Sequence, residues 1–241
     1  MRERGSAPEG RPWGAILVNF LIFFLALLGF FLSCLFAKRD GYSHWLTRPL
    51  YFTQQSNLWI GITSLVFAVM LLRGRMGEGP RRRVSVFKYI FTVSITVTCL
   101  IFCTVLAPFA EPDYNAWTVA SILTHVAVPL LSIFDFFADR HLARIDRGSV
   151  PLSLIPPFLY FAFASVLCLL RVDFGRGDPY PYFFMDFYSE VGLFGFVAQW
   201  PPRIGSFYWF VFFLLLLYLL GVSFRGLHAR LSRKREATKA P

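Results

Sequence analysis

Two side chains in this sequence could share a proton. Thr53, in "YFTQQSN" at residues 51–57, places a hydroxyl at the start of a long apolar run, and His125, in "LTHVAVPLLSIFDF" at residues 123–136, places an imidazole inside another. A threonine hydroxyl is a poor nucleophile until a neighbouring base takes its proton, and an imidazole is the side chain best suited to do so near neutral pH. Such a pair could open an acyl ester with no metal or other cofactor, provided that donors meet the developing oxyanion. Ser56 and Asn57, three and four residues beyond the threonine, are the candidates, and Ser121 stands one helical turn before the histidine. No acid that could orient His125 lies inside an apolar run near it. Asp113, in the turn "EPDYN", reaches it only if that turn folds inward.

The elements that must carry these residues follow from composition. The chain has 241 residues, 56% of them hydrophobic and 16% charged, with a mean hydropathy of +0.55. That is too apolar for an ordinary soluble domain and predicts an all-α polytopic membrane protein. About 20 apolar residues cross the hydrocarbon as a helix, and such windows fall at six places: 13–37, 50–72, 86–110, 116–137, 150–170 and 207–224. Continuous apolar runs lack the alternation of a membrane β-barrel, so a single six-helix domain over 1–241 is expected. The first run is too long for a signal peptide and is read as a retained helix. At 100° per residue, Thr53, Asn57, Ile60 and Ser64 share one helix face, and Thr118, Ser121, His125 and Ser132 share another. Both helices run inward from the same membrane surface, which brings Thr53 and His125 within reach of each other in that half of the bundle.

Charge supplies an orientation. With the chain beginning inside, 18 of the 24 Lys and Arg residues fall on the inner side and six on the outer, which predicts a multi-pass protein with both termini cytoplasmic. The net charge of +10 then reflects orientation and anionic lipid; the basic residues abut span ends and are not interleaved with base-stacking aromatics, so nucleic acid is not an expected partner. The tail 225–241 reads as a solvated basic stop. The outer segment 171–206 has too many Pro, Gly and acidic residues to span and too many aromatics to float in water. It is expected to lie at the interface, either as a lid over the cavity mouth with Tyr180, Tyr182 and Asp186 as its contact residues or as a simple interfacial anchor. Cys34, Cys99, Cys103 and Cys168 fall inside spans as small packing residues, in no metal-binding spacing.

Plainer accounts stand beside the chemical one. Thr and Ser in membrane helices commonly bond the carbonyl one turn back, and a buried imidazole is satisfied by a structural hydrogen bond. Asp135 is expected at the inner interface, paired with Arg140 and Arg144. A channel, transporter or lipid-binding scaffold would use the same polar patch to line a cavity, whereas a bis-histidine haem site lacks its second intraspan histidine.

"YFTQQSN" followed by "LTHVAVPLLSIFDF" resembles the androgen-induced-protein family of six-pass membrane proteins, particularly its prokaryotic branch, with T-x-x-S-N on helix two and H-x-x-x-P on helix four. "PYPYFFMDFY" at residues 179–188 adds to the likeness. The resemblance implies an intramembrane threonine hydrolase of lipid esters, its animal members cleaving fatty-acid esters of hydroxy fatty acids. The nucleophile would then fall on Thr53 and the base on His125, with membrane lipids or a lipid-like substrate as partners and a bacterial cell membrane as the setting.

Overall fold

Helix α1 (Trp13–Leu35) shows how the bundle is sorted. Its inward face carries Ile16, Asn19, Ile22, Ala26, Gly29 and Ser33, all buried, while Leu17, Leu21, Phe24, Leu28 and Phe31 point outward. The small and polar groups of α1 face the interior together with Ile16 and Ile22, and its other large apolar groups named here face the exterior. That is the arrangement expected where lipid surrounds the helices and close backbone approach drives association. The computed structural model describes residues 12–74, 77–108, 115–198 and 203–239. Asp113 lies outside these residues, as do 1–11.

Among the described residues five further helices complete an all-α bundle: α2 (Phe52–Leu72), α3 (Glu78–Leu106), α4 (Val119–Ala138), α5 (Arg147–Leu169) and α6 (Ser206–Lys239). Each is long and apolar enough to cross a membrane, and the chain is a multi-pass membrane protein. Six crossings put Trp13 and Lys239 at the same end of the bundle, here called the basic end; the opposite end, where α2 and α4 begin, is the site end. α1 packs most extensively on α2, where a methyl group on Gly61 would stand 3.1 Å from that of Ala26. Ile22, Ala26, Ile60, Ile95 and Val128 form the middle of the core, and Phe67, Tyr89, Phe136 and Leu217 belong to a larger cluster toward the basic end.

Two boundaries differ from expectation. α3 starts at Glu78 rather than near residue 86, so Lys88 belongs to the bundle interior and not to a flanking segment. The last helix continues through the basic tail to Lys239, where Ala229 and His228 are buried and the His228 ring lies 5.0 Å from that of Phe136. Leu, Ala, Arg and Lys all favour helix, so nothing in "RGLHARLSRKREATK" breaks it. Within 171–206 the chain forms a short 3-10 turn (Phe183–Met185) and an antiparallel two-residue ladder, Phe196–Val197 with Arg203–Ile204.

Toward the basic end the interior holds a closed charge cluster. Lys88 Nζ pairs with the carboxylate of Asp135 and donates to Asn19 Oδ1, while Asn19 Nδ2 donates to Asp135 Oδ1 at 3.0 Å and to Ala15 O at 2.8 Å. The ammonium also sits 4.6 Å from the centre of the Phe67 ring. Asp135 therefore does not pair with Arg140 or Arg144 as expected: its side chain points into the bundle, where Lys88 on α3 meets it.

Candidate active site

A 3-10 turn (Trp45–Leu50) carries the chain into α2, and Pro49 inside it stops any longer run of helix. Tyr51 caps α2, which puts Thr53 in the first turn with its side chain turned into the bundle. There Thr53 Oγ1 lies 3.2 Å from His125 Nε2. The other ring nitrogen, Nδ1, is 3.0 Å from the carbonyl oxygen of Ser121 and 3.2 Å from Thr124 Oγ1, whose own proton goes to Ala120 O at 2.9 Å. A carbonyl can only accept. The network is satisfied when Nδ1 donates to Ser121 O and the Nε2 lone pair faces the Thr53 hydroxyl.

No acid is needed for that orientation. The Ser121 backbone holds the ring, and the Phe102 ring stacks on it at 4.0 Å between centroids with an interplanar angle of 19°. Both Phe102 and His125 lie in π-helical turns, Phe102–Leu106 and Leu123–Ala127, a feature that clusters at functional sites. The second has a local cause. Pro129 has no N–H to offer the His125 carbonyl, and Val128 N–H bonds Leu123 O, five residues back, instead of Thr124 O. The spare Thr124 carbonyl accepts from Asn57 Nδ2 at 2.9 Å, which ties α2 to α4 beside the Thr53–His125 pair.

That bond reassigns Asn57. Its amide nitrogen is also engaged with Thr53 O at 2.8 Å, and Ser56 Oγ bonds Thr53 O and Thr98 Oγ1, each at 3.1 Å. Both side chains fasten helices together, and neither lines a cavity with Thr53. Ser121 contributes its carbonyl rather than its hydroxyl. Of the outer residues, Tyr180 and Tyr182 line the cavity with Thr53 and His125. Asp186 does not reach it; its carboxylate accepts from Tyr188 N–H at 2.9 Å, within its own turn. Tyr182 comes closest to the pair. Burial pushes its phenol up to about 12, against the opposing effect of a hydrogen bond with Thr53, so the group stands protonated beside that hydroxyl.

Thr53 stands where two cavities meet. On one side Phe52, Val97, Ile101, Tyr160 and Leu217 line an apolar chamber, and on the other Arg48, Tyr51, Gln54 and His125 line a polar one; Thr53 and Tyr182 border both. Arg48, Gln54, Tyr42, Tyr51 and Phe102 were not among the expected site residues. Arg48 was the hardest to foresee, because a lone arginine between two spans reads as a solvated flank until the 3-10 turn folds it inward. Gln54 sits inside the quoted "YFTQQSN" and was legible as polar, but only the bundle shows that its Nε2 is spent on Ser33 Oγ, at 3.1 Å.

Comparison with protein-family profiles, with curated proteins and with solved structures yields no match to this chain.

Proposed function

We propose that this protein is an intramembrane ester hydrolase in which Thr53 is the nucleophile and His125 the base. The observation that carries the reading is the position of the Thr53 hydroxyl, bonded to an oriented imidazole at the junction of an apolar and a polar chamber. A lipid ester has that same polarity along its length. With the acyl chain among Phe52, Val97 and Leu217, the carbonyl carbon reaches Thr53 Oγ1. As that oxygen attacks, its proton passes to His125 Nε2, and the new oxyanion takes a hydrogen bond from the Tyr182 phenol. The tetrahedral intermediate collapses, the C–O bond to the alcohol breaks, and His125 returns the proton to the leaving oxygen. Water, deprotonated by His125, then attacks the acyl-threonine, releasing the fatty acid and restoring the Thr53 hydroxyl.

The likeness of "YFTQQSN" and "LTHVAVPLLSIFDF" to the androgen-induced-protein family, in its prokaryotic branch, supports the same chemistry and a bacterial cell membrane as its location. Orientation rests on the basic residues: among the described residues, with Lys88 withdrawn into the bundle, thirteen lie toward the basic end and six toward the site end, favouring a cytoplasmic basic end. Cysteines placed by Arg82→Cys and Asp178→Cys should then react from opposite faces of the membrane, and reaction from one face would refute the topology.

The chemistry is tested with a fluorophosphonate probe and a fatty-acyl ester on purified protein. Labelling at Thr53, and hydrolysis, should disappear in both Thr53→Ala and His125→Ala. Hydrolysis that survives Thr53→Ala, or protein that neither labels nor cleaves any acyl ester, would leave the polar chamber as a lipid-binding or transport cavity.

A further inference from the structure

A cavity separate from both chambers opens at the basic end of the bundle. It holds about 340 Å³ and lies where spans end: Glu78 opens α3, Asp139 follows the last residue of α4, and Ser232 and Arg235 stand on the extension of α6. In a membrane that is the level of the lipid headgroups. Four guanidiniums and three carboxylates line the cavity, and no ion pair among the described residues joins any two of them. The formal balance is one positive charge.

Two of the arginines are built into the wall. Arg81 donates to His141 O at 2.6 Å and to Leu142 O at 3.3 Å, while Arg235 donates to Phe137 O at 2.6 Å, Asp139 O at 3.1 Å and Ala138 O at 3.2 Å, capping the carbonyl end of α4. Each guanidinium has more N–H donors than these bonds use. Arg140 and Arg144 are exposed and make neither a hydrogen bond nor an ion pair among the described residues. The buried member of the set has the opposite sign. Asp139 is 6% exposed; its Oδ1 accepts from His141 N–H at 2.6 Å, and its Oδ2 is buried with no hydrogen-bond partner. A carboxylate oxygen taken out of water without a donor is costly. Glu78 and Glu236 are exposed to water, so the cavity presents free cations at its rim and one unmet acceptor at depth.

We propose that this cavity binds the headgroup of a glycerophospholipid, with the phosphodiester against Arg140 and Arg144 and a hydroxyl or ammonium donor beyond the phosphate on Asp139 Oδ2. Free guanidiniums match the oxygens of a phosphate, in charge and in the geometry of their paired donors. A phosphate alone would leave Asp139 unmet and set a second anion beside it, whereas a simple cation would meet Asp139 and be repelled by the arginines. A phosphoglycerol or phosphoethanolamine headgroup carries both halves, and the volume admits one. Diffuse attraction of basic span ends to anionic lipid reads charge alone; this site reads the donor as well. A lipid held there would join the ends of α3, α4 and α6. The inference is independent of ester hydrolysis, since Thr53 and His125 lie at the other end of the bundle.

The test titrates delipidated full-length protein in detergent with four phospholipids of identical acyl chains and quantifies each complex by native mass spectrometry. Phosphatidylglycerol and phosphatidylmethanol carry the same charge, but only the first has a donor beyond its phosphate; phosphatidylethanolamine and phosphatidylcholine differ in the same way. Within at least one pair the lipid with the donor should bind about tenfold more tightly, and that pair identifies the donor as hydroxyl or ammonium. Asp139→Asn, which keeps an acceptor for His141 N–H and loses the anionic oxygen, should erase the preference. Arg140→Gln combined with Arg144→Gln should weaken the preferred lipid about tenfold or more and leave the unfolding midpoint of the lipid-free protein unchanged, because neither side chain has a partner to lose. Equal binding within both pairs, a preference that survives Asp139→Asn, or an affinity indifferent to the paired arginine substitutions would overturn the proposal; the last of these decides even if Asp139→Asn does not fold. Deacylated glycerophosphoglycerol and glycerophosphoethanolamine separate the two sources of the headgroup: if either competes at the concentration of the lipid itself, the ligand is a soluble phosphodiester and the lipid assignment is overturned.

Discussion

The bundle buries two sets of polar groups, one toward each end, and treats them in opposite ways. Around Asn19, Lys88 and Asp135 the charges cancel and the amide bridges both partners. Around Thr53 and His125 the groups are held just as firmly, yet a cavity opens on them and, among the described residues, the buried Arg48 has no ion-pair partner. In a low-dielectric interior, saturated polar groups set helix register, while groups held in place but left with spare capacity invite a ligand. Burial alone does not tell the two apart, since Lys88 is more deeply buried than His125.

That contrast can be broken at either end. The largest expected effect is on turnover: His125→Ala should lower ester hydrolysis by about 10²–10⁴-fold and Thr53→Ala by no less, while each moves the unfolding midpoint in detergent only slightly. The double variant should be no slower than the worse single one. If either variant unfolds the protein, the pair belongs with the structural set and the contrast collapses. Next comes the closed cluster. Asp135→Leu or Lys88→Met alone should destabilise by about 3–5 kcal/mol, because each strands a buried charge, whereas the two together should regain most of that loss. Chemical denaturation of the three variants measures it; a double variant as unstable as the singles would show that the ion pair does more than neutralise itself.

A smaller effect couples helix packing to the site. A Cβ on Gly29 would stand 2.7 Å from Thr124 Cγ2 and 3.2 Å from Leu123 Cβ, at the π-turn that aims His125. Gly29→Ala should therefore destabilise by about 1–3 kcal/mol and slow hydrolysis as well, since the turn must move to admit it. A variant that is equally stable and equally fast would mean that the turn yields without disturbing the imidazole.

The smallest effect concerns the outer segment. Asp173 loses some hydration there, but bonds from Gly175 N–H at 2.6 Å, Gly177 N–H at 2.9 Å and Ser43 Oγ at 3.2 Å win, and hold its carboxyl below the ordinary aspartate range. Its stabilising contribution is therefore complete at neutral pH and is lost only as pH falls through that lowered value, below about pH 4. Protease nicking near residues 171–178 should rise in that acid window, and Asp173→Asn should show the same susceptibility already at pH 7. Nicking unchanged in the variant would show that the turn is held by other contacts.

The six helices were legible because a membrane imposes length and apolarity on every span, and the six windows matched them to within a few residues except at the two basic ends of α3 and α6. The meeting of Thr53 with His125 was legible as reach, since both start from one surface. Spacing along the chain did not reveal the role of their neighbours. Asn57 looked like an oxyanion donor because an amide beside a hydroxyl usually could be one, but its partner is a carbonyl made available only by the irregular turn at Leu123–Ala127. Lys88 looked like a flanking charge because its match, Asp135, is far away in sequence. Arg48 was hidden for the same reason in reverse: it has no match to find.

The turn at Leu123–Ala127 has a further meaning for how such a site arises. A π-turn is an α-helix that has absorbed one additional residue without changing the phase of the turns beyond it. A chain one residue shorter there would close into regular helix, with Ser132 and Asp135 facing as they do now and the bundle intact. It would lack the spare Thr124 carbonyl, and with it the anchor that seats Asn57 beside the imidazole. Removing one residue from that turn would thus keep the facing of the helix beyond it while taking away the carbonyl that seats Asn57.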